Sequence, residues 1–410
     1  RSKKYRAMAR ELDDTCRWVT RTLWALPNYA TLFLYHLDGG AELQDWESYD
    51  EQLLKTVFAA FTSRLIWFDP SEITVEDGDT QEEQDGKLWL RNEFSKRLDN
   101  IASSARSNDI SNLKDAIATY IIKSLPQEDE LSPHLANALA DLRLPMPLGD
   151  KTLRGFKCRA TARALIPPED QPLWDEDPDL MMKNICVRKH GLSPKHMPSF
   201  AYKDYVIDPT DAFMGLFKNN VIVKVLKHLY RGPEAARSDK PPKQAPSANQ
   251  HDTTVTEEKV AYALLMTRHA LSSDKDWRTN EDGVSKTVFW RYCLQILHPD
   301  LTMDLGVDDY DDYTDDEADD NLDQTVQQSI IGAKKGWVKG VLSDLSESVY
   351  GPRPSREKRT CTQRSSALST AAQMSRNLAM KIALAQAQRA ESETSPHTNQ
   401  PDIGSREPSP

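Results

Sequence analysis

The chain has 410 residues, of which 39% are hydrophobic and 28% charged, and its net charge is −11. This length allows one large domain or two smaller ones, with residues left over for tails. No apolar run approaches the ~18 residues that a membrane-spanning helix requires. The composition therefore excludes a transmembrane protein, and no membrane partner is expected.

The five cysteines are odd in number and never stand in a C-x-x-C spacing. This pattern argues against a disulfide scaffold and favours reduced thiols. We therefore expect an intracellular protein, either cytoplasmic or nuclear.

Helical periodicity dominates the first 126 residues. Apolar side chains recur at three- and four-residue steps, and Pro27, Pro70 and Pro126 follow the periodic segments. Such spacing predicts amphipathic helices that end at or before each proline. The predicted helices cover residues 1–26, 46–68, 87–105 and 109–121.

The middle of the chain, residues 131–204, loses this periodicity. Nine prolines interrupt it, and proline removes an amide donor and clashes inside helices. We predict a largely irregular segment with one short helix, which Asp177 and Pro178 begin and Gly191 ends.

Helices return after residue 204. Asp208 is a plausible cap for an almost wholly apolar helix over residues 209–230, which we expect to lie at the centre of the domain. A capping-box pattern from Thr254 to Glu257 predicts the next helix, and residues 285–297 form the last.

Charge is segregated beyond residue 300. Residues 304–323 hold eleven carboxylates and no Lys or Arg, whereas residues 331–390 hold eleven Lys or Arg and three acids. We predict a mostly α fold: an irregular multi-helix globular domain (1–300), an acidic linker (301–330), a basic, partly helical tail (331–390) and a disordered end (391–410).

Several polar residues near the predicted central helix are candidates for a structural or binding cluster. A basic edge on that helix suits a phosphate or carboxylate ligand, whereas acids before a helix usually serve as caps. An arginine further along the chain is expected to pair with one of these acids. The cluster comprises Asp208, Asp211, Lys224, Lys227, His228 and Arg268.

No catalytic or metal motif stands out. Cys158, Cys186, His190 and His196 lack the paired short spacings of zinc fingers, so we interpret them as ordinary residues. Glycine-rich phosphate loops are absent from the sequence. We therefore assign no catalytic residue, no metal and no cofactor.

The basic tail is a candidate for contacts with phosphate or with import receptors. Five cations in a short stretch favour a nucleic-acid backbone contact or a nuclear-import signal. Neutralisation by the acidic block of the same chain is the plainer interpretation. The five are Arg353, Arg356, Lys358, Arg359 and Arg364.

Four ordered motifs carry a family resemblance. They are Ala105-Arg106-Ser107-Asn108-Asp109 with Leu113-Lys114; Arg154-Gly155-Phe156 with Thr161, Leu165 and Pro167; Asp208-Pro209 with Asp211, Phe213, Gly215, Leu216, Val223-Lys224, Lys227-His228 and Pro233; and Thr256 with Ala261-Tyr262-Ala263, Arg268 and Ala270-Leu271-Ser272-Ser273. Over residues 88–297 the chain resembles a domain of unknown function that is expanded in mushroom-forming basidiomycete fungi. The resemblance implies a fungal source and a helical domain, and implies no activity.

The chain departs from that family pattern at several positions. Phe213 stands where Trp is usual, Cys158 where the Arg-Gly-Phe motif usually continues to His, Ala162 for a common Gly and Ile166 for a common Cys. The lost His and Cys positions further weaken a zinc interpretation.

These observations favour a non-enzymatic interaction or scaffold protein with an unidentified protein partner. Two alternatives stay open. One is an accessory nucleic-acid-binding protein that uses the basic tail. The other is an enzyme with an unrecognised site within residues 204–228 and at Arg268, which predicts that these side chains meet in one deep pocket. The sequence leaves the oligomeric state open.

Overall fold

The computed structural model describes residues 3–37, 48–127, 131–208, 210–238, 254–277, 280, 282–299 and 324–351. Within these ranges the chain forms thirteen α-helices and no β-strand, which confirms the predicted mostly α class. The helices are α1 (Lys3–Thr22), α2 (Tyr29–Leu37), α3 (Ser48–Arg64), α4 (Gln81–Ser124), α5 (Pro133–Ala140), α6 (Arg159–Leu165), α7 (Gln171–Glu176), α8 (Pro178–Cys186), α9 (Asn220–Arg231), α10 (Pro233–Arg237), α11 (Glu257–Leu271), α12 (Lys286–Leu297) and α13 (Gln324–Tyr350).

The longest element is α4, with 44 residues. A reciprocal capping box begins it: Thr80 accepts from the amide of Glu83 at 3.4 Å, and the Glu83 carboxylate accepts from the amide of Thr80 at 2.9 Å. The sequence predicted two helices here with a break near Asp109. That break is wrong, because Ala105 and Asp109 are both buried and keep this stretch inside the packed domain.

The most enclosed helix is α11, in which every residue from Lys259 to Leu271 is buried. It packs against α1, α4, α9 and α12. Its N-cap is Thr256, whose hydroxyl accepts from the amide of Lys259 at 3.4 Å, rather than the predicted Thr254. The centre of the domain is therefore α11, and not the segment around residues 209–230.

The predicted helix over residues 209–230 is too long. Its true start is Asn220, after Asn219 accepts from the amide of Val221 at 3.0 Å. Before it, the chain turns at Gly215 (φ +81°) and Phe217 (φ +59°), in the left-handed region. These two turns stop the helical hydrogen-bond ladder, which the apolar pattern alone does not reveal.

Aromatic rings join the first helices. Phe33 of α2, Phe61 of α3, and Phe68 and Phe94 have ring centroids 5.4–6.3 Å apart. Such tilted and stacked pairs add to the apolar burial that holds helices together. Helix α2 was missed from the sequence because it is apolar on nearly all sides and shows no clear period.

The segment of residues 131–204 is more helical than predicted. It holds four α-helices, α5 to α8, rather than one. Helix α6 is the most enclosed of them, since all residues from Ala160 to Leu165 are buried. Three of the four residues from Ala160 to Arg163 are alanine or threonine, and small side chains give no strong periodic signal.

The last two helices close the core. Helix α12 lies within the predicted range 285–297, and Ser285 caps it: its hydroxyl accepts from the amide of Val288 at 3.4 Å. Helix α13 has 27 residues. It begins in the stretch assigned to the linker and lies against α9, with Val338, Val341, Leu345 and Val349 buried.

No described helix is long and apolar enough to cross a membrane. The acidic block (304–323) and the basic residues beyond 351 lie outside the described part of the chain.

A substitution on α13 tests whether this helix is part of the packed domain. Leu345 is 3% exposed. Replacing a buried leucine by alanine leaves a cavity and costs about 2–4 kcal/mol. We expect Leu345→Ala to lower the free energy of unfolding in urea by this amount. Lys339→Ala, on the exposed side of α13, is the control. Equal unfolding curves for the two variants would contradict the packing of α13.

Candidate functional site

A buried carboxylate ties the N-terminal helices to the core. Asp109 of α4 is 6% exposed. Arg21 of α1 donates to it through both Nε, at 2.8 Å from Oδ2, and Nη2, and Tyr262 of α11 donates to Oδ2 at 2.9 Å. Tyr230 of α9 in turn donates to the carbonyl of Arg21 at 2.5 Å. Three helices therefore meet at one carboxylate, and α9 contacts the backbone of the arginine that binds it. We call Asp109, Arg21, Tyr262 and Tyr230 together the Asp109 cluster.

In the Asp109 cluster the Asp109 carboxylate forms an ion pair with Arg21 and a hydrogen bond with the neutral phenol of Tyr262. Burial, together with the Asp109 carboxylate, raises the pKa of Tyr262 well above its usual range. The phenol therefore remains protonated and donates its hydrogen. A carboxylate with a bidentate guanidinium and a phenol has most of its acceptor capacity filled. This arrangement is typical of structural packing.

Arg154, of the Arg154-Gly155-Phe156 motif, is held by backbone carbonyls. It is 1% exposed and donates to the carbonyls of Pro147 (2.8 Å), Ala270 (2.9 Å) and Leu148 (3.3 Å). The next residue, Gly155, has φ +64°, and a Cβ atom there would stand 3.0 Å from the amide nitrogen of Ser273. Arginine and glycine thus bring this turn against the end of α11.

The loop after α11 holds two enclosed ion pairs. Arg268 pairs with Asp282 at 2.7 Å and Lys286 pairs with Asp274 at 2.7 Å, and all four side chains are less than 10% exposed. Beside them, the His269 ring stacks on Trp277 with centroids 4.3 Å apart. Burial, with further effects of Lys151 and Lys286, lowers the pKa of His269 to about 2. This imidazole is neutral at physiological pH.

Two grooves lie elsewhere on the surface. The larger, with a volume of about 660 Å³, runs between α1 and α4 and is open to solvent. Its wall mixes both signs of charge, and Lys96 is already paired with Glu93 at 2.8 Å. The lining residues are Asp13, Arg17, Glu93, Lys96, Arg97, Asn100, Ile101 and Ser104.

The smaller groove, about 360 Å³, lies between α7 and α8 and combines apolar and acidic side chains. Leu173 is 49% exposed and Leu180 is 52% exposed, which is unusual for leucine at a groove wall. Two carboxylates, Glu176 and Asp177, line the same groove. We call Leu173, Leu180, Asp175, Glu176 and Asp177 together the α7/α8 surface.

Buried contacts fix the orientation of the two short helices. In α7, Trp174 is 2% exposed and donates to Asp141 at 3.0 Å, while Gln171 accepts from Arg163 of α6 at 2.5 Å. These anchors point Trp174 inward, so the neighbouring Leu173 faces solvent. In α8, Met181 and Ile185 are buried. The helical period then leaves Leu180 outside.

The carboxylates of this region are concentrated in sequence. Residues 169–179 contain six acids and no Lys or Arg. Asp179 pairs with Arg159 at 2.5 Å, and Asp170 lies 3.1 Å from His190. Asp175, Glu176 and Asp177 are exposed and form no ion pair within the described part of the chain. The α7/α8 surface is therefore negative as well as apolar.

The profile of a family described as a family of unknown function, DUF6698, matches residues 100–323. The chain belongs to this family. The match includes Asp109, Tyr262, Arg154 and the α7/α8 surface, whereas Arg21 lies before it. No curated protein and no solved structure matches the chain.

The DUF6698 motifs turn out to be packing elements. Asp109 and Tyr262 come from two separate motifs and meet in the Asp109 cluster. Arg154, of the Arg154-Gly155-Phe156 motif, donates to the carbonyl of Ala270, which belongs to the same motif as Tyr262. The carbonyl of Gly155 accepts from the hydroxyl of Thr161 at 2.7 Å. The resemblance therefore marks residues that hold the helices in place.

The predicted cluster near α9 is dispersed. Asp208 and Asp211 form a turn, in which Asp208 accepts from Thr210. Lys224 is buried, Lys227 is half-buried, and Nδ1 of buried His228 lies 2.8 Å from the hydroxyl of Tyr120. Burial lowers the pKa of His228.

Arg268, the last member of that set, pairs with Asp282, so its expected pairing with Asp208 or Asp211 is wrong. Asp282 lies in the loop after α11, and the sequence does not show that this loop folds back onto Arg268. None of the six residues lines either groove. The five tail cations from Arg353 to Arg364 lie outside the described residues.

The residues considered for zinc have other contacts. Cys186 lies 3.5 Å from the carbonyl of Phe156, and His190 faces Asp170. Among the described residues, the group that could hold a metal ion is Glu257, Glu258 and His298, whose ligand atoms lie within 4.8 Å of one another. The two glutamates stand in the first turn of α11, where acids favour the helix dipole.

The α7/α8 surface was not predicted from the sequence. The signal available was the run of six acids around Leu173 and Trp174, which lies in the segment predicted to be largely irregular. Sequence alone does not show which of two adjacent apolar residues faces inward in a helix of six residues. The structure decides this through the bond from Trp174 to Asp141.

The Asp109 cluster predicts a large effect of a conservative substitution. Asp109→Asn keeps the size of the side chain but removes the charge that faces Arg21. Because Arg21 is partly exposed, we expect a loss of about 2–3 kcal/mol in the free energy of unfolding, below the range for a fully buried pair. Urea unfolding measures it. The control is Asp85→Asn, exposed on the same helix, which should change stability by less than about 0.5 kcal/mol.

His269 predicts a dependence of stability on pH. Its folded-state pKa of about 2 lies below the ordinary value of 6.5, so the unfolded chain takes up a proton first as the pH falls. The stability contributed by the neutral ring is complete above pH 6.5 and declines below it. When the pH is lowered from 7.5 to 5, we expect the free energy of unfolding of the unchanged chain to fall by about 2 kcal/mol more than that of His269→Phe. The exposed residue His196, changed to Gln, is the control. An equal pH dependence of His269→Phe and the unchanged chain would contradict the assignment.

Proposed function

We propose that this DUF6698 protein is a non-enzymatic interaction scaffold, and that the α7/α8 surface docks a basic, amphipathic segment of a protein partner. The observation that carries the proposal is the coincidence of two exposed leucines with two exposed carboxylates, Glu176 and Asp177, which line one groove and form no ion pair within the described residues. Apolar contact with a charged rim is the usual composition of a protein-binding groove.

The apolar part of the surface supplies binding energy. Leu173 and Leu180 each leave about half of their area in water. Covering a leucine side chain of this exposure is worth about 1 kcal/mol. Met181, which also lines the groove, is buried and forms its floor. A partner helix that presents leucine-like residues at four-residue steps would fit between α7 and α8.

The charged part supplies selectivity. Asp175, Glu176 and Asp177 lie at the end of α7 and the start of α8, and no described cation neutralises them through an ion pair. A partner with Lys or Arg beside its apolar face gains from these carboxylates, and an acidic partner is repelled. The partner chemistry is therefore cationic and amphipathic.

The state of the other polar residues supports a binding role over a catalytic one. The charged motif residues Asp109, Arg154 and Arg268 have structural partners at 2.7–2.9 Å. They lie in separate clusters and outside both grooves. A catalytic site requires such groups to converge on one concave space.

We further propose a source and a cellular compartment for the protein. The source is a basidiomycete fungus, as the resemblance implies, and the compartment is the cytoplasm or the nucleus. We also propose that the acidic block is a solvated linker. The odd cysteine count and the absence of C-x-x-C spacing support the reducing compartment.

Peptide binding tests the proposal. The probe is a fluorescein-labelled 18-residue amphipathic peptide of Leu and Lys, titrated with the full chain and followed by fluorescence anisotropy. We expect saturable binding, and we expect Leu173→Ala with Leu180→Ala to weaken it about ten-fold, because two leucine contacts are lost. Binding should also weaken with added salt.

Two controls sharpen this test. Leu153→Ala removes a leucine that is 53% exposed outside the groove, so it should leave the affinity unchanged. A peptide of the same pattern with Glu in place of Lys should not bind. Equal affinity of the double variant and Leu153→Ala would refute the assignment of this surface.

A further inference from the structure

We propose that the α7/α8 surface is occupied by the chain's own basic segment, residues 352–390, so that a partner must displace this tail. The inference rests on the proposed function, since it names a competitor for the same surface. The segment lies outside the described residues, whereas the groove lies within them.

Charge complementarity favours this occupant. Residues 352–390 contain eight Lys or Arg and one Glu, which gives a net charge of +7. The opposing run at residues 169–179 contains six acids and no cation. Asp175, Glu176 and Asp177 of that run are exposed. Opposite charges on these two segments attract at short range and are screened by salt.

The apolar pattern of the segment matches the groove. Met374, Leu378 and Ile382 recur at four-residue steps, so a helical conformation would place them on one face. In that conformation Lys381 lies at the edge of the same face, whereas Arg376 lies on the opposite one. The apolar face would then cover Leu173 and Leu180 while Lys381 reaches the carboxylates at the rim.

The chain is long enough to reach the groove. The described part ends at Gly351, directly after α13. From there to Met374 the backbone can span up to about 75 Å when extended. A domain of this size has a radius of gyration of about 19 Å. The segment can therefore reach any face of its own domain, and tethering keeps it at a high effective concentration.

The test is zero-length crosslinking of the full chain. A carbodiimide joins carboxylates to lysines in direct contact, and residues 352–390 contain two lysines, Lys358 and Lys381. After digestion and mass spectrometry, we expect crosslinks from Lys381 to Glu176 or Asp175. A mixture of ¹⁴N- and ¹⁵N-labelled protein distinguishes links within one chain from links between two copies.

Variants that leave every crosslinking group in place provide the control. Leu173→Ala with Leu180→Ala should reduce the yield of these crosslinks about ten-fold, since the loss of two leucine contacts weakens docking by that factor. Leu153→Ala should leave the yield unchanged. Circular dichroism of each variant confirms that the helices persist.

Three results would overturn the inference. They are crosslinks of Lys358 and Lys381 confined to the acidic block at residues 304–323, crosslinks found only between two copies, or a yield that the double variant does not lower. The peptide titration separates this failure from that of the proposed function. Peptide binding without tail crosslinks leaves the docking surface standing and removes the tail as its occupant.

Discussion

The contact of Arg21 and Tyr262 with the Asp109 carboxylate is the constraint on which the helical arrangement depends. An ionised carboxylate inside a protein is costly unless charged and hydrogen-bonded partners surround it. Asp109 meets this requirement only when α1, α4 and α11 stand side by side, and Tyr230 of α9 locks the backbone of Arg21. The pairing thus selects one arrangement of four helices among the many that apolar burial alone would allow.

Arginines perform a related task in the middle of the chain. Arg154 and Arg163 are both almost fully buried, and each donates to several backbone or side-chain oxygens that short, irregular turns leave without helical partners. Four carbonyls in or beside the proline-rich segment accept hydrogen bonds from these two guanidinium groups. The bond from Arg163 to Gln171 and the bond from Trp174 to Asp141 hold α7 with Leu173 outward.

The distribution of charge links the fold to the proposals. Exposed acids that form no ion pair within the described residues collect on the α7/α8 surface, and residues 352–390 hold eight Lys or Arg and one acid. A surface with half-exposed leucines beside exposed carboxylates loses little by binding a cationic helix, since Asp175, Glu176 and Asp177 have no ion pair to break within the described residues. Either the chain's own basic segment or a cationic, amphipathic segment of a partner would match the charge and the apolar character of this surface.

The sequence by itself determined the mostly α class, the family membership and the helices with a clear period, such as α12 within residues 285–297. These properties depend on local spacing and capping, which neighbouring residues decide. Only the tertiary structure decided that α4 runs unbroken through Asp109, that α9 starts at Asn220, that Arg268 faces Asp282 and that Leu173 points outward. Each of these depends on a contact with a residue far along the chain or on a turn in the backbone. A periodic pattern of apolar residues predicts neither.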